Sequence, residues 1–347
     1  MRFEIGIPTV FLFLCAVGAG ATDVEGLNSA RVAVVDRSDA EFRRAIAKAL
    51  ESVIVKLTGD GAAARSKPGR GVVGQAKRLV QQFGYERPRN SAPSSDELVL
   101  RVEFDARVLN KEMRERGLVV WGKERPDTLV WLVVEEAAGR RLLGAQDENE
   151  LLRVMRETAA ARGIPLVFPL VDIAETNAVA TAVSSLELER MLQLSSDRYG
   201  VGSILIGYLR QAIPGLWENR WTLMVADESL TWEQQGDLVE LLVEEATDSL
   251  ADALGRRYAS PTIHAQTDAV AVIVAGLTSP EDYARTERYL RTLDSVTSLF
   301  VRRVDDRGMT FDLTVQGGAA ALSESISFGQ TLSPDPVDGS LFHLIRR

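Results

Sequence analysis

The chain has 347 residues, 46% of them hydrophobic and 26% charged, with 49 acidic against 40 basic side chains and a net charge of −9. At roughly 150 residues per domain this length predicts two or three modules, each able to bury a core. The acidic balance excludes a sequence-independent grip on nucleic acid, which rests on neutralising phosphates with Lys and Arg.

Residues 1–21 read as a signal peptide. Arg2 supplies a positive start, Ile5 to Ala16 an apolar segment, and Ala19-Gly-Ala21 the small residues of a cleavage site. The apolar run is shorter than the roughly 18 residues a membrane span needs. The expectation is export to the periplasm with a cut after Ala21 and no transmembrane segment in the mature chain. Cys15 is the only cysteine and leaves with the leader, which removes disulfides, thiol nucleophiles and thiolate metal sites together.

Arg31 to Asp36 is a strand-length apolar run. Ser38 and Glu41 form a capping-box pattern, and apolar residues from Phe42 to Leu57 recur at helical spacing up to Gly59, a residue suited to a left-handed cap. Gly59 to Gly71 reads as a loop, Val72 to Phe83 as a second helix closed by Gly84, and Pro88 to Asp96 as an exposed loop. Leu98 to Phe104 alternates as a strand with one wet face. Asp105 caps a short helix ended by Gly117.

Gly117 to Val134 then forms a seam: two apolar segments carrying Trp121 and Trp131 flank a polar turn at Gly122 to Asp127 that holds Arg125. Thr128 to Glu135 is apolar almost throughout, as expected of a central strand. A helix opens at Asp147 to Glu150 and stops at Gly163. Ile164 to Val171, broken by Pro165 and Pro169, reads as an edge strand. Leu186 to Tyr199 is helical, Ser203 to Leu209 a buried strand, Trp221 to Val225 its hairpin partner, and Glu233 to Tyr258 a long helix. After a boundary at Ser260 to Thr267, the order strand (270–274), helix (280–293), two strands (297–304, 309–315), helix (319–325) and strand (341–345) is βαββαβ, a ferredoxin-like pattern. The fold class is therefore α/β and α+β, with three small βα modules at 22–122, 126–259 and 267–347.

Val32-Ala-Val-Val-Asp-Arg-Ser38, Val55-Lys-Leu-Thr-Gly59, Phe104-Asp105, Trp121-Gly122, Arg125-Pro126, Leu129-Val-Trp-Leu132 and Val201-Gly-Ser-Ile-Leu-Ile-Gly207 together resemble the family catalogued as domain of unknown function 2066, over residues 27–255. That resemblance implies a Gram-negative envelope protein without assigned activity and supplies no catalytic residues. Tyr199 to Tyr258 looks like the small α/β domains of periplasmic assembly factors, such as the amino-terminal domain of the Tol translocation protein and the curli secretion lipoprotein, which implies binding of partner proteins.

Gly69-Arg-Gly-Val-Val-Gly74 matches G-x-G-x-x-G, yet a dinucleotide site needs the motif directly after a strand, and here a helix and a basic loop precede it. No cofactor is expected. His264 and His343 lie far apart, so a zinc site lacks ligands, and Asp305-Asp306 reads as a turn. Gly202-Ser203 does not complete a nucleophile elbow. Glu135-Glu136 and Glu244-Glu245 are adjacent pairs whose side chains point apart. No catalytic, cofactor or metal residues are assigned. Trp121, Arg125 and Trp131 are expected as seam residues or partner contacts, in a non-catalytic envelope interaction or assembly protein. The alternatives are a cell-wall or saccharide hydrolase using paired carboxylates and a small-molecule binding module.

Overall fold

A computed structural model describes residues 21–345 apart from 25, 88–97, 260–266, 294, 306 and 330. The expectations for residues 1–20, for the 88–96 loop and for His264 lie outside the described residues. The protein is a mixed α/β structure. In its first part, β2 (Ser29–Val34), β3 (Val80–Glu86) and β4 (Leu98–Phe104) form a sheet in the order β2-β4-β3. Helix α1 (Asp39–Thr58) covers it with a stripe running from Ala45 to Leu57. Ser38 Oγ accepts from the Glu41 amide, but the Glu41 carboxylate accepts from the Val35 amide and Asp36 takes the Ser38 amide, so only half of the expected capping box forms. Gly59 ends the helix with a φ of 68°.

Two expectations fail here. Residues 69–73 of the glycine motif lie in helix α2 (Lys67–Val73), capped by Ser66. The helix expected to run on to Phe83 stops with α3 at Leu79 (Ala76–Leu79). Val80 onward pairs antiparallel along β4 instead, because β4 would otherwise present an open edge and tertiary pairing outweighs local helical spacing. Helix α4 (Ala106–Glu115) follows with Asp105 as its cap.

The second part is a six-stranded sheet of β6 (Thr128–Glu136), β7 (Gly139–Leu143), β8 (Leu166–Val167), β9 (Ser203–Ile213), β10 (Leu216–Val225) and β11 (Glu228–Gly236). The order is β11-β10-β9-β6-β7, with β8 beside the start of β6. Helices α5 (Glu150–Arg162) and α8 (Val239–Tyr258) pack on one face against Val130, Leu132 and Val134. Helices α6 (Ile173–Thr181) and α7 (Ser185–Ser196) pack on the other against Leu129, Trp131 and Val133. Burial on both faces is why β6 reads as an unbroken apolar run. Strands β7 and β11 and helix α6 have no counterpart in the sequence reading. The long helix begins at Val239 rather than Glu233: Glu228 to Gly236 pairs with β10 throughout, and its alternation of exposed and half-buried side chains has a period of two.

The third part orders its sheet β13-β14-β12-β16-β15, using β12 (Thr267–Ala275), β13 (Val296–Asp305), β14 (Gly308–Gln316), β15 (Leu332–Pro334) and β16 (Leu341–Leu344). Helices Pro280–Thr292 and Gly318–Phe328 connect the strands, and Ser279 with Asp282 completes a capping box. The βαββα portion takes ferredoxin-like positions. The last strand does not: β16 runs parallel to β12, because the short β15 reverses the chain first and occupies the edge. Pro334 fits there, since an edge strand tolerates a missing donor.

Candidate functional site

The seam is built around one guanidinium. Strand β5 (Glu124–Pro126) pairs with β1 (Ala21–Asp23), and between its neighbours Arg125 is 0% exposed. Its Nη2 donates to the Lys56 carbonyl at 2.6 Å, and its Nη1 to Gly163 O at 2.8 Å and Arg162 O at 3.3 Å. Its Nε donates to Gly122 O at 3.1 Å. Lys56 lies in the last turn of α1, and Arg162 and Gly163 end α5. One cation thus satisfies free carbonyls at two helix C-termini, where the helix dipoles favour positive charge. Its Cζ also sits 4.2 Å from the Trp121 ring centre.

The joint continues through backbone. The Trp121 amide donates to Leu57 O at 2.6 Å, and the Trp121 ring stacks on Tyr258 with centres 5.9 Å apart. Arg162, 7% exposed, donates to Asp248 at 2.6 Å and Gly59 O at 3.0 Å, and pairs with Asp252. Gly255 faces Gly59 so closely that a Cβ on it would lie 2.7 Å from the Gly59 carbonyl oxygen. Trp131 takes no part. It faces α7 on the opposite side of the sheet, where its Nε1 donates to Ser196 Oγ at 2.8 Å and its ring meets Tyr199 edge-on. The structure brings Trp121 and Arg125 together and keeps Trp131 away from both.

A second arrangement was not legible in the sequence. Helices α6 and α7 cover their sheet face over β6 and β9, and beside the start of α7 it opens into a cleft. There, residues distant in sequence meet in register as an alternating row across four strands. Arg140 lies opposite Glu135, Glu135 opposite Arg210, and Arg210 opposite Glu218; Arg220 lies opposite Glu233. The ion pairs measure 2.9 Å for Arg140–Glu135, 2.5 Å for Arg210–Glu218 and 2.6 Å for Arg220–Glu233. They floor a cleft of about 740 Å³, walled on one side by Val183, Ser184, Ser185 and Leu188.

The polar groups of this cleft act strongly on one another. The Tyr208 hydroxyl donates to Glu135, and this bond, followed by Arg140, holds the Glu135 carboxyl below its usual range. Burial and then Glu135 push the Tyr208 phenol up. The shifts make the Glu135 carboxylate a weaker base and the Tyr208 phenol a weaker acid than the free side chains. Val183, in the cleft wall, is 91% exposed, and Leu186 and Leu194 on α7 are 70% and 66% exposed. Leu186 and Leu194, eight residues apart on α7, share its outward face.

The other sequence candidates have structural employment. Gly69 lets α2 pack onto the preceding turn, since a Cβ there would lie 2.0 Å from Ala63 O. Ser203 Oγ is buried against Thr128 Oγ1 at 2.6 Å. Asp305 accepts from the Arg307 amide in a turn, and His343 meets Asp335 at 3.0 Å. Glu245 accepts from Gln234. No described helix is long and apolar enough to cross a membrane.

The family model of a domain of unknown function (DUF8605) matches residues 21–122. This corrects the resemblance to domain of unknown function 2066: the matched domain is a different one and ends at the seam, and the implication of a Gram-negative envelope protein drawn from that resemblance falls with it. The short runs behind that resemblance, such as the apolar β2 and the helix end at Val55 to Gly59, are local solutions to strand and cap chemistry that many folds share. No curated protein matches the chain.

Proposed function

We propose that this is an exported interaction or assembly protein that acts without catalysis by binding a partner protein at the α7 side of the second sheet. One observation carries the reading. Large apolar side chains at Val183, Leu186 and Leu194 stand in solvent on and just before α7, the helix that walls the cleft of ion pairs, and exposed apolar side chains near a charged surface can mark a docking site. Export, with the periplasm as destination, rests on the leader-like residues 1–21. The hydrolase alternative needs one carboxyl raised toward neutrality, and Glu135 is shifted the other way.

The test is a photo-crosslinking residue placed at Leu186, with Val337 in the third part, 93% exposed, as the control position. A discrete protein adduct at Leu186 and not at Val337, lost on Leu194→Lys, is expected. Equal backgrounds at both positions, or turnover of a saccharide that stops with Glu135→Gln, would overturn the reading.

A further inference from the structure

The geometry points to an anion-binding cleft at the seam, formed by Arg31, Lys56, Arg65 and Arg101, for a ligand that carries phosphate. The cleft holds about 630 Å³, within the size range of small-molecule sites. Five basic side chains line it, those four and Arg162, against one carboxylate, Glu51. That is the reverse of the chain as a whole, in which acids outnumber bases by 49 to 40.

The fold offsets only part of this positive charge with its own carboxylates. Arg31 on β2 lies directly opposite Arg101 on β4, and like charges so placed repel. Glu86 holds Arg31 at 2.6 Å, and Asp248 and Asp252 hold Arg162. Lys56, Arg65 and Arg101 have no carboxylate partner among the described residues. The Lys56 ammonium is half-buried and donates to the Ser29 carbonyl at 3.0 Å. Burial, then Arg125, then Arg31 all push it toward the neutral form, and no acid counters them. An isolated ammonium among cations is destabilising until an anion joins it.

Phosphate fits this set better than a carboxylate does. Several cations converge on one opening, guanidinium forks match phosphate oxygens in bidentate geometry, and a lysine adds a point charge. Val55, Ala160 and Ala161 give the cleft an apolar wall, so the phosphate can belong to a free ion or to a lipid headgroup whose carbon portion lies against it.

Calorimetric titration of the mature protein with inorganic pyrophosphate tests the free form. Flotation with phosphatidylcholine vesicles containing phosphatidylglycerol tests the headgroup. Saturable binding in either assay is expected, weakened at least tenfold by Arg101→Glu and by Lys56→Met and unchanged by Arg210→Ala in the other cleft. Lys56→Met is further expected to melt no lower than the parent, since it removes an uncompensated charge; a purely structural lysine would give a lower midpoint. Binding to vesicles alone assigns the headgroup, and binding of pyrophosphate assigns the free ion. Absence of binding in both assays, or an Arg101→Glu variant that binds like the parent, overturns the inference.

Discussion

At the seam, Arg125 is wholly buried and gives its donors to carbonyl oxygens at the ends of two helices. Across the face of β9 to β11, Arg210 and Arg220 keep 50% and 34% of their side chains in solvent and meet carboxylates. The same residue type therefore does different work in the two regions. In the first, water cannot replace the lost partners, so the cation is a structural part of the joint. In the second, solvent screens each pair, and the row contributes little to stability.

Arg125→Met is the most severe break of that contrast. It leaves the Lys56 and Gly163 carbonyls short of donors inside the joint and should cost about 1–3 kcal/mol for each one left unsatisfied. Chemical denaturation should show the loss, with the first and second parts unfolding at separate midpoints.

Gly255→Ala is expected next. The added methyl would lie 2.7 Å from the Gly59 carbonyl oxygen, backbone against backbone, so α1 and α8 must separate. Overpacking of this kind costs about 1–3 kcal/mol, and a thermal melt with Trp121 fluorescence should report both the loss and the loosened stacking on Tyr258. Arg210→Ala marks the small end. Its pair with Glu218 is exposed, so stability should change by no more than about 0.5 kcal/mol. A larger effect would mean that the charge row is part of the packing, and the contrast between the two regions would fail.

Trp121 and Trp131 show how far sequence reading reached. Both stand out as tryptophans in apolar segments of one seam, and Trp121 lies in the joint. Trp131 lies on β6, where successive side chains point to opposite faces. Its parity sends it to the α7 side with Leu129 and Val133, while Val130 and Leu132 face α5 and α8. Arg125 was visible, with Lys123, as a cation in the polar turn between apolar runs. Its acceptors were not, because they are main-chain carbonyls 69 and 38 residues away.

Features whose causes lie among neighbours along the chain were legible in the sequence alone. The mixed α/β class, the αL end of α1 at Gly59, the Ser279–Pro280 start and the central position of β6 follow from periodicity and cap chemistry. Pairing between distant segments set the rest. Val80 to Glu86 became a strand because β4 had an edge to cover, the last sheet gained β15 and a parallel β16, and Arg140, Glu135, Arg210 and Glu218 became one row. Register and helix-end acceptors are set by which elements come to lie side by side, and in a single sequence that pairing leaves no local signature.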